Sequence, residues 1–94
     1  SNNVKSPSRI HILSIYPNPF NPRVSISFRN IHSSQTTLNI YNIRGELITT
    51  ILNDFLPAGE FNTQWDGSQY PAGIYFVQLN SSNTITSQKL LLLK

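Results

Sequence analysis

A chain of 94 residues with a net charge of +3 has room for one domain built around one modest hydrophobic core. Its seven basic residues are scattered, with no run of three, which argues against a nucleic-acid interface. The absence of cysteine excludes disulfides and thiolate metal sites. Only 12% of the residues are charged, whereas serine, threonine, asparagine and glutamine together number 35. Such uncharged polar surfaces are common in extracellular β-proteins and uncommon in helical ones.

The N-terminal segment differs from the rest of the chain. Residues 1–9 are polar, contain Pro7 and show no periodicity, so we predict a linker to an upstream domain and one folded domain over residues 10–94. No secretory signal peptide is visible, and no apolar stretch approaches the roughly 18 residues of a membrane-spanning helix. We therefore expect this sequence to be a piece of a longer protein whose signal peptide lies upstream.

The first predicted strand, Ile10–Tyr16, runs into a segment with three prolines, Pro17–Pro22. Proline removes a backbone donor and fixes φ, so this segment cannot continue a β-ladder and predicts a stiff corner. We expect Phe20, in the middle of the corner, to insert into the core. The corner is also a candidate recognition element, and the candidate residues of this kind are Pro17, Asn18, Pro19 and Phe20.

Strict alternation of apolar and polar residues predicts the next strands. Val24, Ile26 and Phe28 alternate with polar residues, which is typical of a half-buried strand. We predict a polar loop over residues 30–35, a strand around Leu38 and Ile40, a tight turn at residues 42–45, and a fourth strand over residues 46–52.

The last three predicted strands differ in their patterns. Residues 61–65 alternate, whereas residues 74–79 are almost wholly apolar, which predicts a central strand buried on both faces. The final strand, residues 84–93, carries four consecutive leucines. A half-exposed edge strand should not carry four. Either both of its faces are covered, or one leucine pair is reserved for a partner that adds to the strand edge.

Seven short strands without a helical period predict an all-β fold, namely a seven-stranded antiparallel immunoglobulin-like or fibronectin-III-like β-sandwich. Four glycines are expected to supply the φ angles of the turns. Trp65 is the expected core anchor, and Asp66 closes its strand. The residues with predicted structural roles are Gly45, Gly59, Trp65, Asp66 and Gly67. Gly73 is also a turn glycine, and it has in addition a predicted recognition role that is described below.

Six motifs follow one another in order through nearly the whole chain. They are Ile15–Pro22 (IYPNPFNP), Leu38–Ile48 (LNIYNIRGELI), Leu56–Gly59 (LPAG), Trp65–Gly67 (WDG), Pro71–Leu79 (PAGIYFVQL) and Lys89–Lys94 (KLLLLK). In this order they resemble the C-terminal sorting domain of proteins exported by the type IX secretion system of Bacteroidetes and relatives. The immunoglobulin-like domain of the flagellar hook-capping protein is related. It usually has a longer acidic insert after Trp-Asp-Gly, where this chain has only Ser68–Tyr70.

The resemblance implies a non-catalytic secretion signal. Such a domain directs an upstream cargo in the same chain through the periplasm and the outer-membrane translocon to the cell surface or the medium. A sortase-like surface peptidase commonly removes it, here within residues 2–9, and the product is anchored or released. The implied partners are therefore translocon components, that peptidase and the cargo domain.

Within the resemblance, we expect translocon recognition to involve the last two strands. The candidate residues are Gly73, Tyr75, Val77, Lys89, Leu91, Leu93 and Lys94. A covered strand with two solvated lysines is the alternative interpretation of the C-terminal segment. Tyr41 and Tyr75 fit either a buried ring with a hydrated hydroxyl or a contact with a partner.

The sequence gives no reason to expect catalysis, a metal or another cofactor. His11 and His32 are isolated, the carboxylates lie apart, and neither a nucleophile elbow nor a phosphate-binding glycine loop is present. The alternative function is that of an immunoglobulin-like carbohydrate-binding, adhesion or structural module. The aromatic side chains that could form a sugar-binding platform are Tyr16, Tyr41, Trp65, Tyr70 and Tyr75. Coplanar, exposed positions of these side chains would favour carbohydrate binding, and buried positions would favour a sorting scaffold.

Overall fold

The computed structural model describes residues 10–81 and 84–94, so the predicted linker at residues 1–9 lies outside the described residues. The described residues form seven β-strands and no helix, which confirms the all-β prediction. The strands are β1 Ile10–Tyr16, β2 Arg23–Asn30, β3 Ser34–Asn42, β4 Leu47–Leu56, β5 Gly59–Asp66, β6 Gly73–Ser81 and β7 Thr84–Leu92.

The strands pair into two antiparallel sheets that pack with the core between them. The three-stranded sheet has the order β1-β2-β5, and the four-stranded sheet has the order β4-β3-β6-β7. In β2, Val24, Ile26 and Phe28 are buried, while Ser25 and Ser27 are only partly covered. The predicted period of two therefore reflects one buried face. The two-sheet architecture is confirmed, and the immunoglobulin-like label stays a prediction.

Apolar side chains from both sheets and from the corner form one continuous core. Its buried members are Phe20, Val24, Ile26, Phe28, Leu38, Ile40, Trp65, Tyr75, Val77, Leu79, Leu90 and Leu92. Full burial of a large apolar side chain contributes about 1.5–3 kcal/mol each. The predictions that Phe20 and Trp65 belong to the core are confirmed.

Strands β3 and β4 are longer than the sequence pattern predicted. β3 begins at Ser34, which shortens the predicted loop over residues 30–35. Ser34 and Thr36 point into the core, where the Thr36 hydroxyl donates to the Ser34 carbonyl oxygen at 3.1 Å. Because these inward positions carry hydroxyl groups and not apolar side chains, the alternation of apolar residues does not reveal them as part of the strand. β4 continues to Leu56, beyond the predicted end at residue 52.

The prediction that residues 74–79 are buried on both faces is wrong. β6 is central in its sheet, between β3 and β7, but of residues 74–79 only Tyr75, Val77 and Leu79 point into the core. Ile74 and Phe76 lie on the outer face and keep 38% and 37% of their surface exposed. The apolar run therefore combines a core face with an uncovered apolar face.

Three of the four predicted turn glycines have positive φ, whereas the fourth is required for packing. Gly45, Gly59 and Gly73 have φ values of 82°, 142° and 151°. Gly67 is not among the positive-φ glycines, which corrects its predicted role. A Cβ atom there would lie 3.0 Å from Leu92 Cδ2 and 3.4 Å from Phe20 Cε2. Gly67 thus allows a close approach of the backbone to the core.

Candidate functional site

The proline-rich corner, residues 17–22, lies along the outer edge of β7. Phe20 forms a parallel bridge with Leu92. The Phe20 amide donates to the Leu91 carbonyl oxygen at 2.9 Å, and the Leu93 amide donates to the Phe20 carbonyl oxygen at 2.8 Å. Because β7 is the last strand of its sheet, these bonds occupy backbone groups that an edge strand otherwise exposes.

The Asn18 side chain extends this edge pairing by imitating a peptide group. Its Nδ2 donates to the Lys89 carbonyl oxygen at 3.0 Å, and its Oδ1 accepts from the Leu91 amide at 3.0 Å. The outward backbone groups from Lys89 O to Leu93 N are thus bonded to the corner. Another strand could pair with residues 89–93 only if the corner dissociated from them. In the folded domain, the side chains of these residues are accessible and their outward backbone groups are not.

The predicted structural residues around Trp65 hold the corner from its other side. The Gly67 amide donates to the Pro22 carbonyl oxygen at 2.8 Å. The rings of Phe20 and Trp65 pack with centroids 5.7 Å apart. The Trp-Asp-Gly motif and the proline corner are therefore one unit, although residues 23–64 separate them in the sequence.

The aromatic side chains proposed as a carbohydrate platform are mostly turned inward. Trp65 and Tyr75 are buried, with their rings in an edge-on arrangement, and the Trp65 and Tyr70 rings are tilted by 39°. The Tyr75 hydroxyl donates to the Pro71 carbonyl oxygen at 2.6 Å, and burial raises the pKa of that hydroxyl. Tyr16 is exposed, and Tyr41 is partly buried on another face. This arrangement favours a scaffold over a coplanar sugar-binding surface.

The alternation of β6 and β7 divides the predicted recognition residues into two groups. Tyr75 and Val77 point into the core and are not presented to a partner in the folded domain. Lys89 is exposed, Leu91 is partly buried, and Leu93 keeps 44% of its surface exposed. The four leucines thus separate into an inward pair, Leu90 and Leu92, and an outward pair, Leu91 and Leu93.

The outward residues of β7 continue into a surface that the sequence analysis missed. Leu47 pairs with Tyr41, Tyr41 with Phe76, and Phe76 with Lys89, so these four lie in one row across the sheet. A second row pairs Ile74 with Leu91. We name the apolar members of this surface the apolar sheet end; they are Tyr41, Ile43, Leu47, Ile74, Phe76 and Leu91.

An open groove of about 370 Å³ crosses the apolar sheet end. Tyr41, Ile43 and Phe76 line it together with polar residues such as Gln78 and Ser87. The available sequence signal was the β6 motif itself, because a strand that places Tyr75 and Val77 inward must place Ile74 and Phe76 outward.

Within residues 10–81 and 84–94, no group of three or more histidine, aspartate or glutamate side chains could hold a metal ion. The same part of the chain contains no helix long and apolar enough to cross a membrane.

A comparison with protein families decides between the interpretations. The model of the secretion system C-terminal sorting domain matches residues 14–93. The chain belongs to this family. The match covers the six motifs of the predicted type IX sorting domain except for Lys94, the final residue of the sixth, and membership implies export of the carrier protein to the cell surface or the medium. A search of curated proteins found no match.

Lys94, which follows the matched residues, is tied to the Trp-Asp-Gly loop. Lys94 Nζ donates to the Ser68 carbonyl oxygen at 2.9 Å, so its charge lies at the loop after Gly67. Gly73 begins β6 opposite Leu92 and contributes backbone geometry. Of the predicted recognition residues, Lys89, Leu91 and Leu93 therefore share the outer face, and Lys94 lies beside it.

Asp66 stabilises the same loop of the sorting domain. Its Oδ1 accepts from the Ser68 amide at 2.9 Å, and its Oδ2 lies 3.5 Å from Arg23 Nε. The hydrogen bonds from Ser68, followed by the Arg23 charge, hold the pKa of this carboxyl below its ordinary value. The predicted structural role of Asp66 is therefore that of a loop cap.

Proposed function

We propose that this domain directs an upstream cargo through the periplasm and the type IX outer-membrane translocon, and that a sortase-like peptidase then removes it. The observation that carries the proposal is the family match, which extends over residues 14–93 and shows a sorting signal. Removal within residues 2–9 would leave the cargo anchored at the surface or released.

The fold supports a signal that is read as a surface. Three of its sequence motifs meet in one unit, where the corner, the Trp-Asp-Gly loop and the end of β7 bond to one another. This unit keeps the C-terminal strand folded while its outward side chains remain accessible. A receptor could thus bind a rigid surface and avoid the entropy cost of ordering a flexible tail.

We also propose that the domain is not an enzyme. Four of its charged side chains serve structural contacts: Arg29 pairs with Glu60 at 2.6 Å on the outer face of the three-stranded sheet, and Asp66 faces Arg23. Tyr75, the buried titratable group, bonds to a backbone oxygen. A buried group with a catalytic partner would have been the expected sign of an active site.

A transplant experiment tests the proposed function. Residues 1–94 are fused to the C-terminus of a monomeric fluorescent protein with an ordinary export signal. The fusion is expressed in a bacterium with a working type IX system and in the same strain without the translocon. We expect fluorescence at the surface or in the medium only in the first strain, with the domain missing from the product. Equal periplasmic retention in both strains would contradict the proposal.

A further inference from the structure

The outer face of the four-stranded sheet has two halves of different chemistry. In the polar half, amide and hydroxyl groups bond to one another: Thr50 donates to Asn39 Oδ1 at 2.7 Å, and Gln35 donates to Asn53 Oδ1 at 2.8 Å. The other half is the apolar sheet end. There, Ile43, Leu47 and Phe76 keep 69%, 55% and 37% of their surface exposed.

The outer face of the three-stranded sheet shows that such exposure is not a general property of this domain. On β2 and β5, Asn62 donates to Ser27 Oγ at 2.7 Å, and Gln64 donates to Ser25 Oγ at 3.4 Å. The part of that face formed by β2 and β5 is an ordinary solvated polar surface, and Tyr16, which is 76% exposed opposite Ser25, is a single aromatic side chain beside it. A contiguous exposed apolar patch on the opposite sheet is the kind of feature that marks an interaction site.

We propose that the translocon recognises this domain through the apolar sheet end, by means of a protein surface with an apolar centre and carboxylates opposite Lys89 and Arg44. This inference rests on the proposed function and names the surface that it uses. Leu91, the outward leucine of β7, belongs to the same surface, which explains why it is not fully covered within the domain.

Charge identifies the partner. Lys89 lies beside Phe76, and Arg44 follows Ile43 in the turn, so two cations flank the apolar sheet end. Neither forms an ion pair with a described residue. The nearby Glu46 carboxylate accepts from Asn42 Nδ2 at 2.6 Å. An apolar centre with a charged rim is the usual anatomy of a protein interface, and acidic groups on the partner would complement these cations.

The same charges argue against two other occupants. A membrane surface attracts clusters of roughly four to eight basic residues, and two cations are too few. A second copy of the chain would bring two rims of net positive charge together, because Glu46 offsets only one of the two cations, and this is unfavourable. Strand addition at Lys89–Leu93 is prevented by the corner.

The test uses the same fluorescent fusion with pairs of matched variants. Leu47→Thr and Phe76→Thr remove apolar surface from the apolar sheet end while keeping residues that suit a strand. Phe55→Thr and Ile85→Thr are the controls, because these side chains are 67% and 59% exposed elsewhere on the same sheet. Thermal unfolding of each purified domain verifies the fold.

We expect the double variant of Leu47 and Phe76 to lower translocon-dependent export at least about tenfold, as for residues at the centre of an interface. The two controls should export like the wild type. Lys89→Glu should lower export more than Lys89→Gln, because only the former repels a carboxylate. The domains should not bind vesicles of anionic phospholipid.

The outcomes separate this inference from the proposed function. If the wild-type fusion is not exported, the proposed function fails. If the wild type is exported and folded variants of Leu47 and Phe76 are exported equally well, the inference is overturned while the function stands. The inference would also be overturned if the control variants lost as much export as the variants of Leu47 and Phe76. The same holds if the two Lys89 variants lowered export equally, or if the domain bound vesicles in a way that requires Phe76.

Discussion

At one end of the sandwich, the rings of Phe20, Trp65 and Tyr75 fill the core, with ring centroids 5.4–5.7 Å apart along the cluster. At the other end, the core contains Asn30 and Thr36, which are buried and bonded to each other at 3.0 Å. The aromatic end gains stability because it removes apolar surface from water, and this hydrophobic effect is non-directional. The polar end depends on directional hydrogen bonds, which set strand register.

The two ends also contribute differently to the domain: the aromatic end supports a surface, and the polar end sets the strand register. The aromatic end carries the corner, the Trp-Asp-Gly loop and the neighbouring apolar sheet end, so dense packing there supports the proposed recognition surface. At the polar end, Thr36 on β3 pairs with Ser81 on β6, and their hydroxyl oxygens lie 3.4 Å apart. A slip of one residue between these strands would separate the hydroxyls and turn the core side chains outward.

The largest effect is expected at the aromatic end. Phe20→Ala should lower the free energy of unfolding by about 3–5 kcal/mol, because it leaves a cavity against Trp65 and Leu92. This is a large part of the 5–15 kcal/mol that is typical of a whole domain. Chemical denaturation measures the change. Phe55→Ala is the control, since its ring is 67% exposed and its loss should cost no more than about 0.5 kcal/mol. Equal losses would contradict the comparison.

At the polar end, the free energy of unfolding should depend on whether each buried polar group keeps its hydrogen-bond partner, and not on the apolar area that is buried. Thr36→Val removes the oxygen that accepts from Asn30 Nδ2 and should cost about 1–3 kcal/mol, because a buried donor loses its acceptor. The double variant with Asn30→Leu should regain most of that loss, since both polar partners are then replaced. A double-mutant cycle by urea denaturation measures the coupling. Additive losses would mean that packing area determines stability at both ends.

The edge cap at the aromatic end should show a smaller loss of stability and a change in association. Asn18→Ala removes two hydrogen bonds to β7 and should cost about 1–2 kcal/mol. It also frees the Lys89 carbonyl and the Leu91 amide, so the variant should self-associate through the β7 edge.

Asn62→Ala is the matched control for the edge cap, because the Asn62 side chain bonds to Ser27 on the neighbouring strand of the three-stranded sheet, away from β7. It should remain monomeric. Sedimentation of both variants decides the question. A monomeric Asn18 variant would mean that Phe20 alone protects the edge.

The contrast between the ends also explains which features the sequence could predict. Phe20 and Trp65 were predicted as core residues because large apolar side chains next to turn signals have few alternatives. Ser34 lies in the loop predicted over residues 30–35, and Thr36 follows that loop directly. Their pairing was not predicted, because only the folded structure shows which hydroxyls find partners. The outward position of Ile74 and Phe76 was missed because an apolar run conceals its alternation, and whether a second layer covers the sheet is a tertiary property.

Local sequence also could not show that Asn18 bonds to Lys89 and Leu91, which lie more than seventy residues away. The prolines predicted a corner, but the backbone edge that the corner occupies was visible only in the fold. The predicted recognition residues Tyr75 and Val77 belong to a motif whose alternation places them in the core, where a partner of the folded domain does not reach them.

The smallest expected effect is the pH dependence contributed by Asp66 at the aromatic end. The Ser68 hydrogen bonds, and then Arg23, hold the folded-state pKa of Asp66 below its ordinary value of about 3.9. The unfolded chain therefore binds this proton first as the pH falls. The resulting stability is present above about pH 4 and is lost as the pH falls through the folded-state pKa. Asp66→Asn should flatten the fall of the melting temperature between about pH 5 and pH 2.

Arg23→Gln separates the two causes of this pKa shift. It leaves the Ser68 amide in place, so it should flatten the melting profile less than Asp66→Asn does. Equal flattening by the two variants would mean that the Arg23 charge, and not the loop hydrogen bond, determines the shift. The Trp-Asp-Gly loop would then depend on an exposed ion pair that salt screens. If the loop hydrogen bond dominates, the Asp66 contribution should persist at high ionic strength, as expected for a loop held by backbone geometry.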